Sequence, residues 1–379
     1  MALALEQHWP GGTALEGIVA TRYRHGLLTN RIQVVEAAHP VPDQAGEQAA
    51  REILRRVKTL GPEDLLLVLI SGGGSALLSL PAHGLTIEDV RETTRQLLLC
   101  GASIQEINVV RKHLSAIQGG RLAAASRAPV LALIVSDVVG DDPTHIASGP
   151  CAPDASTYSD ALEVLDRHRM RVPDPVTRHL QGGVRGEAAE TPKPGDKVFA
   201  RVENRIIATA QASLQAAAAF FRERGIAAAV LGDAITGEAA EVAKAFAGLA
   251  HQVAKRNEPW KPPVALVSGG ELTVRVRGSG KGGRCSTFLL ALGMGLERLG
   301  CAGSLHAIAC DTDGIDGTEE NAGALLMPDS MERARALGVS ASAHLLQDDA
   351  YSFFQKLSDL VVTGPTRTNV NDYRALLIA

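Results

Sequence analysis

Short apolar runs alternate along this chain with longer amphipathic stretches. Residues 34–36, 65–70, 130–135, 227–231, 264–267, 305–309 and 360–362 are predicted as strands. Residues 44–59, 86–99, 103–117, 207–224, 237–255 and 284–299 carry helical periodicity. Thr86 with Asp89, and Ser103 with Glu106, have the spacing of capping boxes. The strands are mostly continuous apolar runs rather than two-periodic ones. That pattern, with helices between them, predicts an α/β fold with a buried parallel sheet. Residues 272–277 are the exception: Thr273, Arg275 and Arg277 alternate with Leu272, Val274 and Val276, as on a half-exposed strand.

The polar, proline-rich stretch KRNEPWKPP follows a long helix and is the predicted boundary. It gives a first domain over 1–255, a linker over 256–263 and a second domain over 264–379. A second irregular stretch, 171–196, reads as an excursion inside the first domain. The opening MALALEQHW looks helical, yet no capping residue precedes it.

Composition narrows the function classes. A chain of 379 residues suits two domains, and 45% hydrophobic residues supply their cores. A net charge of -4 without a long basic run gives nucleic acid nothing to bind, and 3% aromatics make no base-stacking platform. Five cysteines, none in a Cys-x-x-Cys pair, fit a reducing, cytoplasmic compartment. No apolar stretch reaches the length of a membrane span, and the start lacks a signal-peptide pattern.

Chemistry gathers where predicted strands end. Ser71, Gly72, Gly73, Gly74 and Ser75 follow one apolar run; three glycines let backbone N–H groups approach a ligand without a Cβ in the way. An apolar segment from Ala76 reads as a following helix, whose N-terminus would add a positive dipole end. The segment NVVRKHLSAIQGGRLA puts Arg111, Lys112 and His113 on a helix ahead of a Gly-Gly break, which suits phosphate neutralisation or a solvated helix face. In SDVVGDDPTHIASGP, Asp137, Asp142, Ser148 and Gly149 follow a buried strand, where open α/β sheets place ligands. In SGGELTVRVRGSGKGGRCS, four glycines surround Lys281 and Arg284 ahead of a helix, which points to anion binding. DTDGID sets Asp311, Asp313 and Asp316 close together, with the wrong glycine and glutamate spacing for an EF-hand. TGPTRTNVND closes the series with Thr366 and Asn369.

Together with HPVPDQAG (39–46) and GDAITGEA (232–239), these segments resemble the class II glycerate 2-kinases, whose C-terminal part is the MOFRL domain. They follow the family's order over nearly the whole chain. The resemblance implies a Rossmann-like parallel-sheet domain plus a mixed α/β MOFRL-type domain, with the active site in the cleft between them. It implies ATP-dependent, Mg²⁺-assisted phosphorylation of D-glycerate at the 2-hydroxyl, giving 2-phosphoglycerate. D-glycerate and ATP are the expected partners, the oligomeric state stays open with a homodimer as one possible assembly, and neither nucleic acid nor a membrane is expected.

Some relatives carry the name hydroxypyruvate reductase, which makes an oxidoreductase the alternative. No strand here leads into Gly-x-Gly-x-x-Gly with an acidic residue about twenty positions on. A catalytically impaired sugar-acid or nucleotide-binding protein is the third reading. It follows from a departure: the family pattern opens with a Gly-Lys-Ala loop carrying a catalytic lysine, whereas this chain has no lysine before Lys58. A missing upstream segment is therefore expected. A second departure puts Cys285 where the family has asparagine.

In this frame the loop 71–75 holds nucleotide phosphate, with Lys112, Lys281, Gly282 and Gly283 contributing. Arg284 neutralises the transferring group or clamps the substrate carboxylate. Asp137 is the first choice to orient or deprotonate the hydroxyl, with Asp311 and Asp313 as competitors. Asp142 or Asp313 takes Mg²⁺. Arg111, Ser148, Gly149, Glu271, Thr366 and Asn369 are the substrate-binding candidates.

Overall fold

All seven apolar runs predicted as strands form strands in the computed structural model, which describes all 379 residues. The chain divides into two compact units. One comprises Met1–Ser136 and Asp141–Ile207; the other comprises Asp137–Gly140 and Ala208–Ala379.

In the first unit, β1 (Gly17–Arg22) pairs in parallel with β2 (Ile32–Ala37). Strand β3 (Leu66–Ile70) lies parallel beside β4 (Val130–Val135), and β5 (Val202–Ala208) completes a three-stranded sheet in the order β3-β4-β5. Helices Gln44–Val57, Ile87–Leu99 and Ile104–His113 form where periodicity placed them. Both expected capping boxes are present, on Thr86 and Ser103. The third helix stops at His113, short of the expected 117. Helix Ala210–Arg222 starts later than expected because Ile207 and Ala208 still belong to β5.

The second unit is built on β6 (Ala227–Gly232), β7 (Gly237–Glu238), β8 (Val264–Gly270), β9 (Leu272–Thr273), β10 (Leu305–Asp311), β11 (Gly323–Leu326), β12 (Leu360–Val361) and β13 (Asp372–Ile378). Its main sheet runs β12-β11-β10-β13-β8-β6. Only β6 and β8 are parallel neighbours; the other pairs are antiparallel. The sheet is therefore mixed, in line with the mixed second domain that the family resemblance implies, and differs from the parallel sheet expected from the apolar runs. Of the alternating stretch 272–277, only Leu272–Thr273 pairs, with β7, and Val276 is exposed.

The packing boundary falls at Ile207/Ala208, not within 256–263. Strand β6 hydrogen-bonds to β8 inside one sheet. Helix Ala239–Arg256 packs on helix Arg284–Arg298 in one core, with Phe246 edge-on to Phe288 at 5.3 Å. Small residues allow the approach: a Cβ on Gly295 would lie 2.8 Å from the Cβ of Ala247. The stretch 256–263 thus links two elements of the same unit.

Strand direction decides where the chemistry sits. β3 and β4 are parallel, so Ser71 and Ser136 leave their sheet at one edge. β8, β10 and β12 share one direction, so Gly270, Asp311 and Thr363 leave theirs at one edge. β13 runs the opposite way between β8 and β10, so its first residue lies at that same edge. The register is Gly270 beside Asp372 and Asp372 beside Asp311. No helix is long and apolar enough to cross a membrane.

Candidate active site

At that edge of the second unit, Arg284 opens helix Arg284–Arg298 and meets three carboxylates. Its Nε donates to Asp372 Oδ1 at 2.6 Å, Nη2 to Asp311 Oδ2 at 2.7 Å and Nη1 to Glu271 Oε1 at 3.0 Å. Asp372 is fully buried, whereas the Glu271 side chain is 52% exposed. Burial works against the Arg284 charge, but Asp372, Asp311 and Glu271 together hold its pKa above the ordinary value. Beneath it Arg374, also fully buried, donates to Asp372 Oδ2 at 3.0 Å, to Ser268 Oγ at 3.4 Å and to the Gly269 carbonyl.

Asp311 is the perturbed acid of the cluster. Burial pushes its carboxyl up to about 7; Arg284 opposes this and the neighbouring Asp313 adds to it. Its Oδ1 accepts the Asp313 N–H at 3.2 Å. A carboxylate with a pKa near neutrality beside a fixed cation is suited to moving a proton at physiological pH.

Asp316 explains how Arg284 is aimed. It is fully buried and accepts the N–H groups of Cys285 at 2.9 Å and Ser286 at 2.8 Å, capping the first turn of that helix. A Cβ on Gly283 would lie 2.1 Å from its Oδ1, so the residue before Arg284 must lack one. Cys285 points into the apolar core, where burial raises its thiol pKa far above the usual value.

The glycine-rich loop before Arg284 departs from its expected role. Asp348 accepts the N–H groups of Arg277 at 2.5 Å and Gly278 at 2.7 Å. Asp349 accepts from Lys281 at 3.0 Å, and Gln347 O accepts from Gly280 at 2.9 Å. A Cβ on Gly278 or Gly280 would lie 2.3 or 2.4 Å from that same oxygen. These glycines permit close packing, and most of the loop's donors are engaged within the protein. Lys281 is largely exposed and pairs with Glu319 at 3.2 Å. Thr366 and Asn369 are engaged in holding loops together: the Thr366 N–H donates to Asp313 O at 3.0 Å, tying its loop to the one after β10, and Asn369 Oδ1 accepts the Asn371 N–H at 2.9 Å within its own loop. Asp313 Oδ1 accepts from Ile315 N–H at 2.8 Å.

In the first unit the loop 71–75 turns directly out of β3 into a short helical turn. Gly73 has φ +82 and caps a single helical turn, Gly74–Leu77. That turn is shorter than the helix expected from Ala76, so its dipole is small and the backbone donors carry the site. The N–H groups of Gly72, Gly73 and Gly74 make no hydrogen bond to another protein group. The loop is held from behind: Ser75 Oγ lies 2.8 Å from Ser148 Oγ, which donates to Asn108 Oδ1 at 3.0 Å, while Gln118 donates to Ser75 O at 2.8 Å.

Ala147, Ser148 and Gly149 are consecutive left-handed residues, with φ 51, 57 and 59. At Ala147 and Ser148, which carry a Cβ, such backbone is costly and persists where surrounding packing dictates it. Ser148 and Gly149 are buried in this support. A Cβ on Gly74 would lie 2.5 Å from the Cβ of Ala147. Gly74→Ala is therefore expected to displace the loop and raise the KM of the phosphate-bearing substrate about tenfold or more; steady-state kinetics on the folded variant checks this.

The remaining expected residues fall as follows. Lys112 is buried and pairs with Asp154 at 3.2 Å, which makes it a structural cation and withdraws it from the phosphate set. Asp142 Oδ1 accepts the Thr144 N–H at 2.8 Å. Burial raises its pKa, but hydrogen bonds from Thr144 outweigh this and leave it lowered. Asp137 is half-buried just past β4, in the segment that groups with the second unit. Arg111 is half-buried beside Ser75. No three His, Cys, Asp or Glu side chains gather as a metal cage. Magnesium usually needs only one or two carboxylates plus substrate phosphates, so single ligands such as Asp142 or Asp313 remain compatible with it. Sequence reasoning missed Asp372 and Arg374, although TNVNDYR contains both.

Comparison with known proteins identifies relatives along the whole chain. Residues 1–181 match a domain of unknown function, DUF4147, and residues 264–372 match the MOFRL family. The chain is 46% identical over its full length, and over 84% of the relative, to an Agrobacterium vitis protein that carries the name hydroxypyruvate reductase. It is 38% identical to the D-glycerate 2-kinase of Thermotoga maritima, over 94% of this chain and 83% of the relative. The crystal structure of glycerate kinase from Thermotoga maritima superposes with a TM-score of 0.85 at 37% identity, covering 96% of this chain and 85% of that one.

Proposed function

The chain belongs to the class II glycerate 2-kinases, and from that premise we propose that it transfers the terminal phosphoryl group of ATP to the 2-hydroxyl of D-glycerate. The observation that carries the reading is the Arg284–Asp311–Asp372 cluster at one sheet edge, with Asp311 pushed up to about 7.

In this reading Asp311 takes the proton of the 2-hydroxyl, a role for which its perturbed acidity favours it over Asp137. The freed oxygen bonds to the γ-phosphorus, the bond to the β–γ bridging oxygen breaks, and ADP leaves. Arg284 neutralises charge on the transferring group. Its weakest tie, to the exposed Glu271, is the one an incoming anion replaces; the ties to Asp311 and Asp372 keep the guanidinium aimed. The free N–H groups of the loop 71–75 hold nucleotide phosphate. Bound Mg²⁺, with Asp313 or Asp142 as a single protein ligand, would neutralise phosphate charge.

The test is incubation with ATP and D-glycerate, followed by phosphorus NMR for 2-phosphoglycerate and ADP. The name carried by the Agrobacterium vitis relative favours a reductase as second reading. Steady NADH oxidation with hydroxypyruvate, without phosphoryl transfer, would establish it.

The pH dependence follows from Asp311. As a base it must be deprotonated, so kcat/KM is expected to rise with pH through about 7. Asp311→Asn is expected to remove that limb and to lower kcat about 10²–10⁴-fold. Stability runs the other way. The folded-state pKa of Asp311 lies above its ordinary 3.8, so its contribution is greatest below that value and falls as pH rises towards about 7. Thermal unfolding of Asp311→Asn across this range is expected to show a weaker fall than the parent.

A further inference from the structure

Arg111 is distinguished by what it lacks. Every other arginine that is not exposed has a partner within the protein: Arg22 reaches His39, Arg56 Glu52, Arg91 Glu88, Arg333 Asp359, and Arg121 carbonyl oxygens and Tyr158. Arg284 and Arg374 sit in the carboxylate cluster. Arg111 is half-buried with no hydrogen bond or ion pair from its guanidinium. Burial lowers its pKa to about 10, and no neighbouring carboxylate offsets this.

The side chain lines a small cavity together with Ser75, Ser79, Thr94, Ser115 and Gln118, and no acidic residue lines it. Ser115 Oγ accepts the N–H groups of Ile117 at 3.2 Å and Gln118 at 3.1 Å, which leaves its own proton available for a further acceptor. Ser75 belongs to the loop whose N–H groups are free. The position of Arg111 in the last turn of helix Ile104–His113 helps a cation, but a helix end offsets only a small part of the cost of desolvating an unpaired charge. A partner of opposite charge is what this site is missing.

We infer that Arg111 is the cation of an oxyanion-receiving site beside the loop 71–75, taking a carboxylate or phosphate group of a bound substrate. The inference rests on the kinase reading for the identity of the substrates, D-glycerate and ATP. It also leaves Arg284 to the transferring group if the carboxylate is the one bound here.

Calorimetric titration of the full chain with D-glycerate and, separately, with ATP tests it, using Arg111→Met and Arg111→Lys. Removal of a charge-assisted hydrogen bond of this kind is expected to weaken one ligand about 10- to 100-fold. The other ligand should stay within threefold. Weakened D-glycerate identifies the carboxylate, and weakened ATP identifies phosphate. Arg111→Lys, which keeps the charge without the planar fork, should fall between, and serves alone if Arg111→Met does not fold. Both ligands staying within threefold in a folded variant overturns the site, as does a parent that binds neither ligand. Turnover measured in parallel separates the two claims. A parent that phosphorylates glycerate while the variants bind normally defeats the Arg111 site alone. A parent that binds through Arg111 without turnover defeats the kinase reading alone.

Discussion

Arg284→Ala is expected to lower kcat by about 10²–10³, the usual loss when one preorganised charge is removed from a transferring group. The expectation comes from the three-way contact of its guanidinium with Asp372, Asp311 and Glu271, which fixes its direction before any ligand arrives. A second signature distinguishes this from simple unfolding. Arg284 opposes the burial that raises the Asp311 pKa. Without it the midpoint of the pH profile should move further above 7, so residual activity should recover partly at alkaline pH. Arg284→Lys should retain charge but lose the fork, and should lie between parent and Ala. A folded Arg284→Ala with kcat within threefold of the parent would remove Arg284 from the mechanism.

Asp372→Ala carries the largest expected cost in stability. Asp372 is fully buried and accepts from Arg284 Nε at 2.6 Å, Arg374 Nη1 at 3.0 Å and the Leu272 N–H at 3.2 Å. Its loss leaves Arg374 buried with only a hydroxyl and a carbonyl oxygen as partners. Breaking a buried pair from one side typically costs about 3–5 kcal/mol, because the remaining charge stays desolvated. Urea unfolding should show that loss, with activity falling as Arg284 loses one of its anchors. A loss below about 1 kcal/mol would mean that the cluster contributes little to holding the sheet edge together.

Much of this architecture could be read locally. The apolar runs of β3, β4, β8 and β10 and the capping pairs at Thr86 and Ser103 appear where the pattern places them. These depend on side chains a few residues apart, which is the range over which periodicity and caps act. The candidate chemistry was legible for the same reason: Ser71–Ser75, Arg284 and Asp311 all sit where a strand or helix begins or ends.

The misses share a cause. β13 contains a fully buried arginine and begins with a fully buried aspartate, so it does not read as core until the two are seen to neutralise each other. Gly278 and Gly280 read as an anion loop, yet their lack of a Cβ accommodates the backbone of Gln347, about seventy residues away. Lys112 reads as a phosphate ligand until Asp154 is found against it.

By itself the sequence determined seven of the strands and six of the helices, where polar and glycine-rich loops follow them, and, through its ordered motifs, the family. Tertiary structure alone decided that β6 joins the sheet of β8, that β13 enters antiparallel between β8 and β10, and that Asp372 therefore meets Arg284 beside Asp311. The physical reason is range. Strand pairing and buried charge compensation depend on partners tens to a hundred residues away, whose proximity no local pattern encodes.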